Sequence, residues 1–488
     1  MRKWVWVGIL ILAGAVRLLT LSKLLVFTPD EAYISYIVRT IVKDFHVIWI
    51  GVSILGYGFY MGPLWIYIIY PFYALLNGDP MVLGALTSLM GVATTFLIYW
   101  LGKKMFNGRV AIIASLFYAT QALVIFYDQR PYPPGVPMWL MLMMLSLYMS
   151  NRSSKWWIFF AFLAGMVFHI HLSLGGMILV GIYWAYVKRK SIGRSVILPS
   201  ILVFTITISP LIVFDYFHKA SNITTPLRIL KSSQGGGFSL NFAARANSFW
   251  GTLSRVWYLT PGNSNADEIL YPCNVQQSYT TTDSVMVLPI VALVIYILFL
   301  FNKRTWTDEK KKLLALAGLA TLFPFLFLPI FNPVEYYLVG FFPIFFLTIA
   351  LFVDSLKSLR KYAYILIIIV AFNGIFTVIG ASGNYGLEER RMLISKVEEI
   401  VGEKTYELET ADTKSCLGGW RYLFLSYYKA PLRSTEDKNF AWLYPEEVSK
   451  VSAEFKVKIK ESRLATPTLQ GDYLIQMGGF SAYVSENR

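Results

Sequence analysis

The sequence has few cysteines and few charged residues, and both shortages narrow the class of protein. Cys273 and Cys416 are the only cysteines among 488 residues, and neither belongs to a CxxC pattern. This spacing argues against a cysteine-ligated metal centre. Charged residues make up 15% of the chain and hydrophobic residues 56%. Such a composition is too apolar for a soluble globular protein and predicts a polytopic membrane protein.

Acidic residues are scarce as well, so the chain carries a net charge of +15. The surplus Lys and Arg residues lie in short tracts between apolar runs: "GKKMFNGR", "VKRKSIGR", "NKRTWTDEKKK" and "KSLRK". This distribution is typical of cytoplasmic loops of membrane proteins, because positive residues are retained on the inner side. We therefore expect no nucleic-acid partner despite the basic character of the chain.

Apolar runs predict about eleven membrane-spanning helices. The first run lacks a small-x-small cleavage site and is interpreted as an uncleaved helix, and Arg2 and Lys3 before it predict a cytoplasmic N-terminus. The other predicted spans are Pro80–Leu101, Val110–Tyr127, Gly135–Met149, Trp156–Phe168, Leu172–Tyr186, Val196–Phe217, Val285–Phe301, Leu313–Ile330, Tyr337–Val353 and Tyr362–Ile379.

The stretch "YMGPLWIYIIYPFYALLNG" has two interpretations. If it crosses the membrane, "GKKMFNGR" and most later basic tracts lie outside. If it lies along the outer surface, every basic tract falls inside, and this second threading is favoured. We expect two outer juxtamembrane helices within about residues 30–78. The aromatic anchors expected at the interface are Tyr57, Tyr60, Trp65, Tyr67 and Tyr70.

Two segments are expected outside the membrane on the extracytoplasmic side. One is a long loop, 218–284, in the catalytic part of the chain, 1–382. The other is a small soluble α/β domain, 383–488, in which "LEERRMLISKVEEIVGE" has helical spacing and "TYELETA" and "GDYLIQMGG" alternate like strands. Since both cysteines fall outside, a disulfide between the loop and the domain is left open.

Polar residues converge on the outer face under this threading. The doublet Asp30–Glu31 follows the first span in "TPDEAYISY", and "YDQRPYPPG" contains Asp128 and Arg130. The short spans Trp156–Phe168 and Leu172–Tyr186 predict a hairpin whose turn is recessed below the outer surface. The further outer-face candidates are His169, His171, Glu335, Tyr336, Tyr337, Arg228, Lys231, Arg245 and Arg255.

Acids at the mouth of a membrane cavity, with cations opposite, suit a reaction on a phosphate-bearing lipid. Hydrolysis of a sugar–sugar bond requires an acid for the leaving alcohol and a second carboxylate. A sugar that leaves from a lipid phosphate needs no such acid, because phosphate is already a stable anion. One carboxylate base and a set of donors for the phosphate are enough, and attack from the opposite face predicts inversion at the anomeric carbon.

The stretch "RLLTLSKLLVFTPDEAYISY" resembles the start of GT-C glycosyltransferases of the protein-mannosyltransferase and aminoarabinose-transferase type. "GPLWIYIIYPFYALLNG" is similar to their second juxtamembrane helix, and "QALVIFYDQRPYPPGVPMWLMLMMLSLYM" to their segment with an acid before a proline-containing helix start. "VFHIHLSLGGMIL" and "EYYLVGFFPIFFLTIA" are similar to two later stretches. The resemblance covers residues 1 to about 190 and 333–350 and is weak elsewhere. The chain has no WWD-type signature of oligosaccharyltransferases.

The resemblance implies roles for individual residues. Asp30 would be the catalytic base or would orient the acceptor, Glu31 would assist, Asp128 would be the second acid, and His169 or His171 would contact the donor phosphate. Two departures matter: Tyr60-Met61-Gly62 precede Pro63 where the family has Lys or His, and "PMVLGALTSLMG" lacks an expected Arg. The phosphate-binding cations are therefore expected from the long outer loop.

Each of these signals also has an ordinary structural interpretation. Asp30 and Glu31 can cap a helix, Asp128 can pair locally with Arg130, and Arg17 can snorkel from the first span. The two histidines can be plain helix-end residues, and a metal site lacks a nearby acid in sequence.

The sequence thus predicts an α-helical, multi-pass plasma-membrane glycosyltransferase of the cell envelope with no cofactor. Its donor would be a polyprenyl-phosphate sugar, and its acceptor a lipid, a glycan or a protein hydroxyl. The alternatives are a polysaccharide ligase or polymerase, a transporter or flippase for a lipid-linked sugar, and a non-catalytic receptor. A transporter predicts paired half-repeats and charges at mid-depth, whereas no repeat is found and the charges cluster at one face.

Overall fold

The fold is described from a computed structural model for residues 4–53, 58–231, 242–261, 279–280, 287–327, 335–410, 418–462 and 473–487. Helices dominate the first part of the chain. In chain order they are α1 (Val5–Leu19), α2 (Leu21–Leu24), α3 (Pro29–Lys43), α4 (Leu64–Leu75), α5 (Met81–Met105), α6 (Gly108–Thr120), α7 (Ala122–Gln129), α8 (Val136–Ser150), α9 (Trp156–Ile170), α10 (Gly175–Val187), α11 (Arg194–Phe217), α12 (Ser221–Lys231), α13 (Phe242–Arg255), α14 (Val287–Phe301), α15 (Lys303–Thr307), α16 (Glu309–Phe327), α17 (Phe341–Ser355) and α18 (Arg360–Gly380).

Three of these helical segments are individually long and apolar enough to cross a bilayer: Met81–Met105, Arg194–Phe217 and Lys357–Gly380. A fourth candidate is the pair α6 and α7, which is bent by 64° at Gln121. Each predicted span overlaps a helix in the described residues, except that Val110–Tyr127 is divided between α6 and α7. Residues 285–286 and 328–330 of two predicted spans lie outside the described residues. The shorter apolar helices fall below the length of a full crossing. The multi-pass architecture is thus clear, while the number of crossings stays a prediction.

The predicted hairpin is confirmed as two helices, α9 and α10, which separate at His171. Contacts at the far ends show that both helices return to one end of the bundle. Lys188, after α10, forms an ion pair of 2.7 Å with Glu309, and Asn151, before α9, hydrogen-bonds to the same carboxylate at 3.4 Å. At this end Arg109 also pairs with Asp354 at 2.7 Å. The basic tracts therefore cluster at one end, as the sequence predicts.

Helices α3 and α4 occupy the region expected for the two juxtamembrane helices. One expected anchor differs: Trp65 is only 3% exposed and packs inside the protein, because it lies on the side of α4 that faces the bundle. Phe72 and Leu75 are the large apolar residues of α4 that are exposed. Tyr57 lies outside the described residues.

The last part of the chain forms the predicted α/β unit, with α19 (Leu387–Val401), β3 (Tyr406–Thr410), α20 (Trp420–Tyr427), β4 (Arg433–Ser434), α21 (Asp437–Phe440), β5 (Phe455–Glu461), β6 (Tyr473–Met477) and β7 (Phe480–Glu486); the two-residue strands β1 (Thr260–Pro261) and β2 (Tyr279–Thr280) form a separate pair. The five-stranded sheet has the order β4-β3-β5-β7-β6, parallel at β4-β3-β5 and antiparallel at β5-β7-β6. Leu393 and Val397 of α19 are fully buried, as their helical spacing predicts. This unit is called the C-terminal domain below.

Candidate active site

Helix α3 begins with a capping box that positions the acidic doublet. The hydroxyl of Thr28 accepts a hydrogen bond from the backbone N–H of Asp30 at 3.3 Å, and the Glu31 carboxylate accepts from the N–H of Thr28 at 2.8 Å. Pro29 occupies the first helical position, where its missing N–H costs nothing. The capping interpretation is thus correct for Glu31, whose side chain is turned back to the helix start.

The two acids of the doublet differ in exposure. Glu31 is fully buried, whereas Asp30 is exposed, and its side chain takes no part in the capping box. Burial by the surrounding protein nevertheless raises the pKa of Asp30 above the ordinary range, and the positive charge of Arg130 opposes this rise. A carboxylate that water reaches while protein surrounds it on most sides is typical of a concave surface. Asp30 is therefore chemically available. Glu31 stabilises the helix start through Oε2, while its Oε1 atom is buried without a hydrogen-bond partner among the described residues.

The turn after α7 lies beside the doublet. Arg130 acts electrostatically on both Asp30 and Glu31, and the charge of Asp30 reaches the hydroxyls of Tyr132 and Tyr336. Segments about 100 and 300 residues downstream in the chain thus meet at the N-terminus of α3.

His171 and three tyrosines form an aromatic group next to Asp30 and Arg130. The ring of His171 lies 6.1 Å from that of Tyr132, 5.8 Å from Tyr336 and 5.4 Å from Tyr337, measured between ring centroids. The Nδ1 atom of His171 accepts a hydrogen bond from the backbone N–H of Ser173 at 3.3 Å. Burial lowers the pKa of His171 to about 4, so its ring is neutral near pH 7. The residues of this "Asp30 cluster" are Asp30, Arg130, Tyr132, His171, Tyr336 and Tyr337.

The outer-loop arginines differ in their surroundings. Arg245 on α13 is buried, donates to the carbonyl of Phe325 and interacts electrostatically with Tyr337. Arg255 forms an ion pair with Glu335, with its Nε donating at 2.7 Å. The positive charge of Arg255 is therefore largely compensated, and Arg245 is the loop cation associated with the Asp30 cluster. Arg228 is exposed on α12, and the side chain of Lys231 lies outside the described residues. Cys273 and Cys416 also lie outside the described residues, so the disulfide between them stays a prediction.

Asp128 faces the inside of the bundle. Its Oδ2 atom accepts from Nε and Nη2 of Arg17 at 2.9 and 2.8 Å, and its Oδ1 atom accepts from the hydroxyl of Tyr118 at 2.9 Å. Arg17 is fully buried and also donates to the carbonyls of Tyr118 and Ala119. The interpretation of Arg17 as a snorkelling residue is wrong, and the ion pair of Asp128 is formed with Arg17 rather than locally. Both carboxylate oxygens are occupied, which is unfavourable for a second catalytic acid.

His169 also has a different environment from the expected one. Its Nε2 atom lies 2.8 Å from the carbonyl of Thr207, and its Nδ1 atom accepts from the N–H of Leu64 at 3.4 Å. Because both ring nitrogens are engaged with backbone groups of α11 and α4, the ring is not positioned to bind a phosphate. The residue instead fastens the start of α4, next to Pro63.

Tyr132 was not among the residues selected from the sequence, although it lies in the same proline-rich turn as Arg130. The signal that could have identified it is a tyrosine two residues after a cation in a proline-rich turn. Among the described residues, no group of three or more His, Cys, Asp or Glu side chains is arranged to hold a metal ion.

Residues 61–214 match the family model of the dolichyl-phosphate-mannose-protein mannosyltransferases. Among curated proteins no sequence matches the chain. Of the solved structures, ArnT from Cupriavidus metallidurans bound to undecaprenyl phosphate is similar with a TM-score of 0.61 and 11% identity, covering 99% of this chain and 98% of that one. The Archaeoglobus fulgidus oligosaccharyltransferase AglB, in complex with an inhibitory peptide and a dolichol-phosphate, is similar with a TM-score of 0.51 and 13% identity, covering 93% of this chain and 69% of that one.

Proposed function

Because the chain has the fold of the GT-C glycosyltransferases, we propose that it moves a sugar from a polyprenyl-phosphate donor to an acceptor hydroxyl at the outer face of the membrane. The observation that carries this proposal is the contrast among the outer-face acids. Asp30 is exposed within a cluster of polar side chains, whereas Glu31, Asp128 and Glu335 are buried. Both carboxylate oxygens of Asp128 and of Glu335 accept hydrogen bonds, and Glu31 is turned back to cap α3 through Oε2.

In the proposed reaction Asp30 accepts the proton of the acceptor hydroxyl. The acceptor oxygen forms a bond to the anomeric carbon, and the bond from that carbon to the phosphate oxygen breaks. The electron pair leaves with the polyprenyl phosphate, which departs as an anion. Because attack comes from the face opposite the phosphate, the anomeric configuration inverts. The raised pKa of Asp30 favours this role, since a stronger base accepts a proton more readily near neutral pH.

The leaving phosphate requires cations and hydrogen-bond donors. Arg245 and the hydroxyls of Tyr336 and Tyr337 supply these groups in the proposed complex, on the side of the cluster that α13 covers. His171, being neutral, contributes a ring nitrogen but no charge. Support for a lipid-linked donor comes from the two similar structures, which contain undecaprenyl phosphate in ArnT and dolichol-phosphate in AglB.

The test uses the purified full chain and a panel of radiolabelled polyprenyl-phosphate sugars. Asp30→Asn retains the backbone N–H that binds Thr28, so the helix start should persist while the base is lost. We expect transfer to fall by about 10²–10⁴-fold. The matched control is Asp44→Asn, which changes an exposed acid at the other end of the same helix. Unchanged transfer in Asp30→Asn would remove Asp30 from this role.

A further inference from the structure

One side of helix α3 rests on the C-terminal domain. Tyr36 is 1% exposed, and its ring lies 5.1 Å from that of Tyr422 and 4.5 Å from that of Tyr444. Farther along the helix, Arg39 and Lys43 pair with Glu447 at 2.6 and 2.8 Å. The helix that presents Asp30 is therefore held between the bundle and a domain that begins more than 300 residues later in the chain.

The contact extends to the capping box itself. Gly419 has a φ of +82° and packs closely against the start of α3. A Cβ atom on residue 419 would lie 3.0 Å from the ring of Phe27 and 3.1 Å from the carbonyl oxygen of Thr28. The rings of Phe27 and Tyr422 are stacked at 5.9 Å. Glycine is needed at this position for its backbone angle and for its lack of a side chain. The segment Gly418–Trp420 is thus the support of the first turn of α3.

Arg390 on α19 holds this supporting segment. Its Nη1 atom donates to the carbonyl of Gly418 at 2.9 Å, and its guanidinium lies 4.9 Å from the ring centroid of Trp420 and 4.8 Å from that of Phe480. On the other side, the Glu436 carboxylate accepts from the N–H of Trp420 at 3.0 Å.

The charge environment of Arg390 is unusual for an arginine. The side chain is fully buried, and burial lowers its pKa to about 9 despite the opposing charges of Glu436 and Glu31. A buried cation that is neither exposed nor tightly ion-paired is costly to keep. The hydrogen bond to Gly418 and the contacts with the rings of Trp420 and Phe480 offset part of this cost, so Arg390 and the supporting segment depend on each other.

We propose that Arg390 is a positioning residue for the transfer reaction: it fixes Gly418–Trp420 against Thr28 and thereby fixes the direction in which α3 presents Asp30. This inference rests on the proposed function for its kinetic consequences, but its structural part does not. Arg390 itself lies beneath the helix start and need not touch substrate. The C-terminal domain would then be part of the active-site framework rather than an attached module.

A structural role confined to the C-terminal domain makes a different prediction. If Arg390 only stabilised that domain, its replacement would loosen the sheet β5-β7 and leave α3 and the turnover rate unaffected. If it positions α3, the loss appears first in the backbone of residues 28–33. Amide hydrogen exchange measured on the full chain in detergent distinguishes the two, because it reports the opening of each segment separately.

The experiment compares Arg390→Met and Arg390→Lys with the matched control Arg433→Met, which removes a more exposed arginine paired with Glu407 in the same domain. For Arg390→Met we expect about tenfold faster exchange at residues 28–33 and a kcat reduced about ten- to hundredfold with little change in donor KM, since small misplacements of a reacting group lower turnover. Arg390→Lys should restore part of the protection from exchange at residues 28–33 and part of the lost kcat. Arg433→Met should match the unchanged protein.

Gly419→Ala provides a second variant in case Arg390→Met does not fold. It should loosen the same residues through the clash with Phe27 and Thr28. Unaltered exchange at residues 28–33 together with unaltered kcat, in folded Arg390→Met or Gly419→Ala protein, would overturn the inference. If the unchanged protein transfers no sugar from any donor in the panel, the proposed function fails, and the exchange data alone decide whether Arg390 positions α3.

Discussion

At the scale of single residues, the four acids at the end of the bundle with the Asp30 cluster differ in their burial and in their hydrogen-bond partners. Glu31 is fully buried and accepts from Thr28 through Oε2, whereas Asp128 accepts from Arg17 and Tyr118, and Glu335 from Arg255 and other donors. Asp30 alone among these four is exposed. Chemical availability therefore follows from which carboxylates the fold has buried and which it has left exposed.

The electrostatic balance at Asp30 predicts the pH dependence of transfer. A base must be unprotonated, so activity is lost as the pH falls through the pKa of Asp30. Burial raises that pKa and Arg130 lowers it. Arg130→Gln removes the lowering charge, and the acidic limb of the pH–rate profile should move to higher pH. Arg130→Lys should leave the limb closer to its original position.

The measurement is kcat/KM for the polyprenyl-phosphate sugar as a function of pH, with Arg152→Gln as the control. Arg152 is exposed at the opposite end of the bundle and should leave the profile unchanged. A limb that stays in place, or moves to lower pH, in Arg130→Gln would contradict the assignment of Arg130 as the cation that acts on Asp30.

At the scale of secondary-structure elements, the start of α4 depends on a close approach to α9. The N–H of Gly62 donates to the carbonyl of Phe168 at 2.8 Å, and the ring of His169 fills the space beside it. A Cβ on residue 62 would lie 2.0 Å from Nδ1 of His169. Glycine is therefore required at position 62 so that the histidine can reach the backbone of α4.

Gly62→Ala should consequently destabilise the protein. Overpacking of this kind costs about 1–3 kcal/mol, because the ring must leave its hydrogen bonds with Leu64 and Thr207. Thermal unfolding in detergent measures the loss. Gly8→Ala is the matched control, since no neighbouring atom lies within 4 Å of its Cβ position. The double variant Gly62→Ala/His169→Ala should be no less stable than His169→Ala alone; a further loss in the double variant would argue against the clash.

At the scale of the whole molecule, the two ends of the bundle have opposite characters. The end with the basic tracts is linked by the pairs Arg109–Asp354 and Lys188–Glu309. The Asp30 cluster and the C-terminal domain lie at the other end. From this separation the positive-inside rule predicts that the basic end is cytoplasmic.

Cysteine accessibility tests this orientation in intact cells. Lys103→Cys, Lys190→Cys and Lys438→Cys replace exposed residues, each in a background with Cys273→Ser and Cys416→Ser. A membrane-impermeant maleimide should label Lys438→Cys directly and the other two only after permeabilisation. Labelling of Lys103→Cys in intact cells would invert the threading and place the Asp30 cluster in the cytoplasm.

Local patterns in the chain were enough to predict much of this architecture. Apolar runs located the helices of the bundle, alternation located β3 and β6, and the Thr-Pro-Asp-Glu string located the start of α3. These features depend on neighbours within a few residues, so their physical cause is already visible in the sequence.

Partners far apart in the chain required the folded molecule. Arg17 meets Asp128 at a separation of 111 residues, and His169 reaches Leu64 at 105. Arg390 holds the segment Gly418–Trp420 of the C-terminal domain, and this segment packs against Thr28 at the start of α3. A buried charge or ring takes the partner that packing places beside it, and no local periodicity encodes that choice. The same packing leaves Asp30 exposed and buries Glu31, Asp128 and Glu335. This difference in exposure is visible only in the folded structure.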